Sequence, residues 1–151
     1  MKNTSLCYIE KGDSYLLLHK NRKKDYNFDK WLGIGGKFLE GESPFDCVLR
    51  EAREETGLTL KNPRYRGIVT FVSDKWESEQ MHLFTCGDFE GEIGECDEGE
   101  LRFVKKAELL SLPHWEGDRI FLDLLLKDAP FFVLKLVYEG DTLRSHELKM
   151  V

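Results

Sequence analysis

Long apolar runs are missing from this chain. No stretch of its 151 residues approaches the roughly 20 consecutive apolar positions that a bilayer span requires, so no membrane-crossing helix and no membrane partner is expected. The opening residues MKNTSLCYIEKGD hold one early lysine and no sustained apolar segment before Glu10; they do not read as a secretory leader. Cysteine is scarce. Cys7, Cys47, Cys86 and Cys96 stand far apart, which excludes the close spacing of a zinc site. Cys7 and Cys86 lie in apolar, strand-like stretches and read as small buried hydrophobes. All four read as reduced thiols, which fits a cytoplasmic protein. A surplus of basic charge is also absent. The net charge of −6 argues against duplex nucleic acid as a partner, because such binders carry a basic face. A small anionic substrate remains compatible if metal ions and a few clustered cations neutralise it. The only dense basic run is Lys20, Arg22, Lys23 and Lys24.

What is present is ordinary globular material. Hydrophobic residues make up 41% and charged residues 33%, enough for a core under a solvated surface. The length suits one domain, read as 1–151, with no internal repeat and no linker. Residues 4–10 and 15–20 read as a hairpin about the Lys11-Gly12-Asp13 turn. Residues 31–38 are short and broken by Gly33, Gly35 and Gly36. A helix should then start at Ser43, a good N-cap, with Pro44 in the first position and Asp46 three residues on. Gly57 should stop it. Phe45, Val48, Leu49 and Ala52 fall at i, i+3, i+4 and i+7 and predict its buried stripe. Strands are expected at 66–73 and 81–88, an acidic Gly-rich loop at 87–99, and a short strand at 101–104. A helical turn should cover 106–111 and a helix 118–127, carrying Ile120, Phe121, Leu124 and Leu125. Strands at 131–138 and 142–149 should pair across Gly140-Asp141. Strands and helices mix without strict alternation. That predicts an α/β chain of the α+β kind: a mixed β-sheet sandwiched between α-helices.

The chemistry gathers on the first helix. Glu51, Glu54 and Glu55 are spaced i, i+3, i+4 and share a face, predicted to turn away from the apolar stripe. Arg50 stands four residues before Glu54 and can pair with it; Arg53 points elsewhere. One arginine cannot neutralise three carboxylates. A hard divalent cation can, and magnesium takes one or two carboxylates together with waters and substrate phosphates. Such ions activate water and bridge phosphate oxygens. The plain alternative is an acidic, solvated helix face.

The wider spacing decides between them. Gly36 is followed by five residues and Glu42, then by seven residues and Arg50-Glu51-Ala52-Arg53-Glu54-Glu55-Thr56-Gly57-Leu58. This resembles the Nudix box, G-x5-E-x7-R-E-U-x-E-E-x-G-U, where U is a bulky apolar residue. Every charged and glycine position is filled; Ala52 stands where Ile, Leu or Val is more usual. The resemblance implies the Nudix fold, with the box as a loop-helix-loop, and a hydrolase acting on a phosphoanhydride. It implies that Glu51, Glu54 and Glu55 hold Mg²⁺, with Mn²⁺ as a substitute, and that the Gly36 carbonyl joins them. Arg50 orients a glutamate and Glu42 supports the box. The general base varies within the family and is left open.

Most of the chain also resembles the MutT-type branch, which hydrolyses oxidised purine nucleoside triphosphates such as 8-oxo-dGTP. The likeness runs through Trp31-Leu32-Gly33-Ile34-Gly35-Gly36-Lys37, Glu95-Cys96-Asp97-Glu98 and Trp115-Glu116-Gly117-Asp118. It implies that Glu98 is a further metal-side carboxylate, that Lys20 and Lys37 serve the substrate phosphates, that Trp115 stacks on the base, and that Asp118 accepts hydrogen bonds from a purine edge. The bland counterparts are an acidic loop residue for Glu98, a core or rim aromatic for Trp115 and a helix N-cap for Asp118. Two departures stand out. Some relatives have Asn where this chain has Leu32, and some have a second Asp where it has Gly117. The implied products are nucleoside monophosphate and pyrophosphate, and the implied assembly is a monomer or homodimer. Hydrolases of ADP-ribose, dinucleoside polyphosphates and NADH fit less well. The proline, tyrosine and zinc module that mark them have no counterpart here. A nucleotide-sensing module without catalysis is disfavoured because every box glutamate is kept.

Overall fold

The computed structural model describes residues 1–21 and 27–151. Of the basic run, Lys20 falls within it; Arg22, Lys23 and Lys24 lie outside the described residues.

The N-terminal hairpin forms as its sequence predicts. Strands β1 (Lys2–Lys11) and β2 (Ser14–Lys20) pair antiparallel across Gly12-Asp13. Each presents apolar side chains on both faces: Cys7 and Ile9 of β1 and Leu16 and Leu18 of β2 enter one core, and Tyr8, Tyr15 and Leu17 enter another. Period-2 alternation with both faces apolar means that both faces of the sheet must be covered.

Next come β3 (Trp31–Leu32), β4 (Ile34–Lys37), α1 (Pro44–Thr56), β5 (Thr59–Leu60), β6 (Arg64–Ser73) and β7 (Glu79–Cys86). Then follow β8 (Phe89–Glu90), β9 (Gly99–Lys105), a 3₁₀ turn at Lys106–Ser111, α2 (Asp118–Leu126), β10 (Phe132–Glu139) and β11 (Thr142–Met150). Among the described residues, nine strands share one mixed sheet. Its main path is β11-β10-β6-β7-β1-β2-β3, with β4 also on β1 and β9 also on β2. The β1–β7 and β10–β6 pairs are parallel. Helix α1 covers one face through Val48 and Ala52, and α2 covers the other through Phe121, Leu122 and Leu125. Each such buried side chain contributes about 1.5–3 kcal/mol relative to exposure. The mixed, helix-covered sheet is therefore as expected.

Three local expectations change. The loop at 87–99 contains β8, which pairs with β5 in a two-residue ladder; pieces that short carry no periodicity. Strand β7 starts at Glu79, two residues earlier than its apolar run suggests. The buried face of α1 is rotated from the predicted stripe. Val48 and Ala52 are buried, but Phe45 and Leu49 are exposed, and Cys47, Glu55 and Thr56 take the inner positions. The cause lies in β4. Gly35 and Gly36 offer no side chains, so α1 can lay its inner carboxylates against that strand.

Candidate active site

Helix α1 is fixed at both ends by local chemistry. The Ser43 hydroxyl accepts from the Asp46 N–H at 3.1 Å and the Asp46 carboxylate accepts from the Ser43 N–H at 3.0 Å, a complete capping box. Gly57 ends the helix at φ 81°, a left-handed geometry that suits glycine, and its N–H returns to the Arg53 carbonyl. Thr56 adds hydrogen bonds to the Ala52 carbonyl and from the Leu58 N–H.

The loop before the helix is tied down by Arg50. Its guanidinium donates to Glu42 at 2.7 and 2.9 Å, to Glu51 at 2.9 Å, to Glu54 at 3.0 Å and to the Lys37 carbonyl at 3.0 Å. The two bonds to Glu42 form the strong bidentate arrangement. Arg50, with help from the Leu39 N–H, holds the Glu42 carboxyl down at about 2. One arginine thus locks the box loop and aligns two of the three glutamates.

The three glutamates differ in setting. Glu54 is largely exposed. Glu51 is pressed against β4: a Cβ added to Gly36 would lie 2.6 Å from its carboxyl carbon. Burial raises the Glu51 carboxyl, with Glu54 and Glu98 adding to the effect and Arg50 opposing it. Glu55 is buried and accepts from the Gly35 N–H at 3.0 Å. Its carboxyl is pushed to about 9, first by burial and then by a hydrogen bond with Glu98 and the charges of Glu98 and Glu51. The predicted outward-facing triplet is therefore corrected: Glu55 points inward.

A cavity of about 320 Å³ joins this region to the start of α2. Gly36, Lys37, Glu51, Glu55, Lys20 and Glu98 line it on the helix α1 side. The Lys20 ammonium lies 3.3 Å from Glu98. The remainder of the wall includes Leu32, Phe71, Trp115, Asp118, Phe121 and Leu136. Glu54 and Arg50 do not border the cavity; Arg50 bonds to Glu51 and Glu54. At this size the space falls in the ordinary range for small-molecule sites.

Trp115 is buried. Its indole N–H donates to Asn27 at 2.7 Å, its ring edge meets Phe71 and Tyr138, and the Lys30 ammonium sits 4.4 Å above it. Asp118 is the first residue of α2, with Gly117 in the N-cap position, so it is not the cap. Its carboxylate accepts from the Trp115 N–H at 3.3 Å. Burial raises it to about 7, with Glu79 adding and the Trp115 N–H and Lys30 opposing.

Gly117 explains one departure from relatives. A Cβ there would lie 2.6 Å from Leu136 and 2.9 Å from the Tyr138 hydroxyl, which accepts from the Gly117 N–H. Leu136 is fully buried, so its side chain has little room to shift. Gly117→Asp is expected to lower stability by about 1–3 kcal/mol through overpacking, read as a drop in the urea midpoint; an unchanged midpoint would show that β10 gives way.

Sequence reasoning missed Glu79, Thr4, Asn27 and Lys30 near the cavity's inner wall. No local motif marks them. They meet through strand pairing and side-chain contacts distant in sequence, such as Thr4 to Glu79.

The donor set is oxygen-rich and hard, as magnesium requires. Glycine at position 36 leaves room for the Glu51 carboxylate, and the Glu51, Glu55 and Glu98 carboxylates crowd together closely enough for their charges to raise Glu55. As they stand, no three His, Cys, Asp or Glu side chains among the described residues are grouped so that they alone could hold a metal ion. Magnesium does not need one, since substrate phosphates and water complete its shell. The residues fit the ion.

Residues 2–125 match the NUDIX domain family. An uncharacterized Nudix hydrolase of Bacillus subtilis (strain 168), YvcI, is 34% identical over 132 residues, covering 84% of this chain and 80% of that protein. The oxidized purine nucleoside triphosphate hydrolase of Danio rerio is 28% identical over 131 residues, covering 86% and 84%. The crystal structure of a MutT protein from Bacillus halodurans superposes with a TM-score of 0.87 at 31% identity, covering 98% of this chain and 97% of that one. The chain belongs to the Nudix hydrolase family and is an enzyme of its MutT-like branch.

Proposed function

We propose that this Nudix hydrolase is Mg²⁺-dependent and acts on an oxidised purine nucleoside triphosphate, 8-oxo-dGTP or a near relative, releasing nucleoside monophosphate and pyrophosphate. Its role is to clean the cytoplasmic nucleotide pool. Residues 1–151 act as one domain, as a monomer or homodimer, on a small nucleotide and not on nucleic acid. The observation that carries this reading is a cavity walled on one side by Glu51, Glu55 and Glu98 and on the other by an aromatic recess with a buried carboxylate. Similarity to the Danio rerio oxidized purine nucleoside triphosphate hydrolase supports it.

Glu51, Glu54, Glu55 and Glu98, with the Gly36 carbonyl, would hold the ion. When bound it acidifies water and draws charge from the phosphates. The chain supplies the rest. Arg50 holds Glu51 and Glu54 in place. Lys20 and Lys37 stabilise the negative charge of the triphosphate as water attacks phosphorus in line and the anhydride bond breaks. Trp115 stacks on the purine. Asp118 accepts from its N1–H and 2-amino group, which it can do only when ionised.

That requirement gives a pH dependence. With Asp118 at about 7, kcat/KM for 8-oxo-dGTP is expected to climb as pH rises through that value. Asp118→Asn should flatten this limb and lower kcat/KM. Stability runs the other way. The folded state keeps a proton that the unfolded chain releases near 3.9, so Asp118 costs stability increasingly as pH rises from about 4 to 7. The Asn variant should gain on the parent between pH 5 and pH 8 in urea unfolding; an equal gap at both would contradict the buried-carboxyl assignment.

The direct test is a substrate panel with Mg²⁺: canonical dNTPs, 8-oxo-dGTP, ADP-ribose and a dinucleoside tetraphosphate. Highest kcat/KM for 8-oxo-dGTP supports the proposal. Preference for ADP-ribose or the tetraphosphate overturns the substrate assignment.

A further inference from the structure

Asp118 shares its recess with a second buried carboxylate. Glu79 opens β7, is 6% exposed, and lines the same cavity. Strand register sets it between Lys2 of β1 and Phe71 of β6. Its Oε2 accepts from the Thr4 hydroxyl at 2.8 Å, and Thr4 is itself buried. Asp118, at the start of α2, lines the same cavity, and the charge of Glu79 adds to the rise of its carboxyl. Burying a carboxylate is costly unless it is well paired. The recess is otherwise largely aromatic and aliphatic, with Phe71, Trp115, Phe121 and Leu136. Lys2, the register partner of Glu79, borders the cavity as well.

We infer that Glu79 is a specificity-determining residue, which with Asp118 gives the recess two carboxylates and selects a purine that turns N–H donors to both. This rests on the proposed nucleoside triphosphatase reading. Guanine offers N1–H and its 2-amino group on one edge. On its other edge N7 is a bare acceptor, which a carboxylate repels. Oxidation at C8 puts a hydrogen on N7 and turns that edge into a donor. With Asp118 on the first edge and Glu79 on the second, the pocket accepts the oxidised base and rejects the intact one. Sites built to bond a particular hydrogen discriminate strongly against analogues that lack it.

The test compares kcat/KM for 8-oxo-dGTP and dGTP in the wild type, Glu79→Gln and Glu79→Met. Glutamine keeps an acceptor for Thr4 and removes the charge, so a purely structural role would survive it. The ratio of the two substrates is expected to fall by about 10–100-fold in Glu79→Gln, the worth of a charged hydrogen bond, with the change carried mainly by KM for 8-oxo-dGTP. Methionine, of similar volume and uncharged, should shift the ratio the same way and keeps the test decisive if the glutamine variant folds poorly. A ratio unchanged in both variants, with the wild type still preferring 8-oxo-dGTP, overturns the role of Glu79 alone. A wild type that hydrolyses neither triphosphate overturns the functional reading and this inference with it.

Discussion

Glu54→Gln is expected to reduce kcat by roughly 10³-fold while leaving stability within about 1 kcal/mol of the parent. Glu54 suits this test because the fold does not need it. Its side chain is largely exposed and bonds to Arg50 at 3.0 Å. A surface ion pair of that kind is worth little to stability. A large loss of turnover with an unchanged melting curve would therefore report chemistry, through the ion that the carboxylate is proposed to hold. Full activity would remove Glu54 from the metal site.

Gly36→Ala should cost about 10²-fold in kcat without unfolding the protein. Gly36 pairs with Ser5 in the sheet, and its backbone is not in the left-handed region, so alanine leaves the strand unstrained. The added methyl would lie 2.6 Å from the Glu51 carboxyl group and force it to move. Displacement of a reacting group by about 1 Å can cost 10²-fold. Steady-state kinetics beside a circular dichroism spectrum would read both effects. Wild-type rates would mean that the position of Glu51 is not critical.

The same two residues show what the sequence makes legible. The ends of α1 could be read directly, because the Ser43 and Asp46 cap and the Gly57 stop are local chemistry. The box spacing pointed to its family because it is a fixed pattern in the chain. The buried face of α1 could be read only in part. Periodicity chose Phe45, Val48, Leu49 and Ala52; Val48 and Ala52 are buried, but the missing side chains at Gly35 and Gly36 let Glu51 and Glu55 turn inward, and Phe45 and Leu49 are exposed. Glu79 was invisible for a related reason. It looks like a polar loop residue until the parallel pairing of β1 and β7 sets it beside Thr4. Trp115 and Asp118 were legible by resemblance, and the cavity that joins them to Glu51 exists only once the sheet is assembled.

The most direct test of the account is phosphorus NMR of 8-oxo-dGTP turnover by the wild-type enzyme, with Mg²⁺ and then with excess EDTA. The account predicts paired growth of nucleoside monophosphate and pyrophosphate signals, stopped by EDTA and restored by added Mg²⁺. Release of nucleoside diphosphate with inorganic phosphate, or turnover that persists in EDTA, would contradict it.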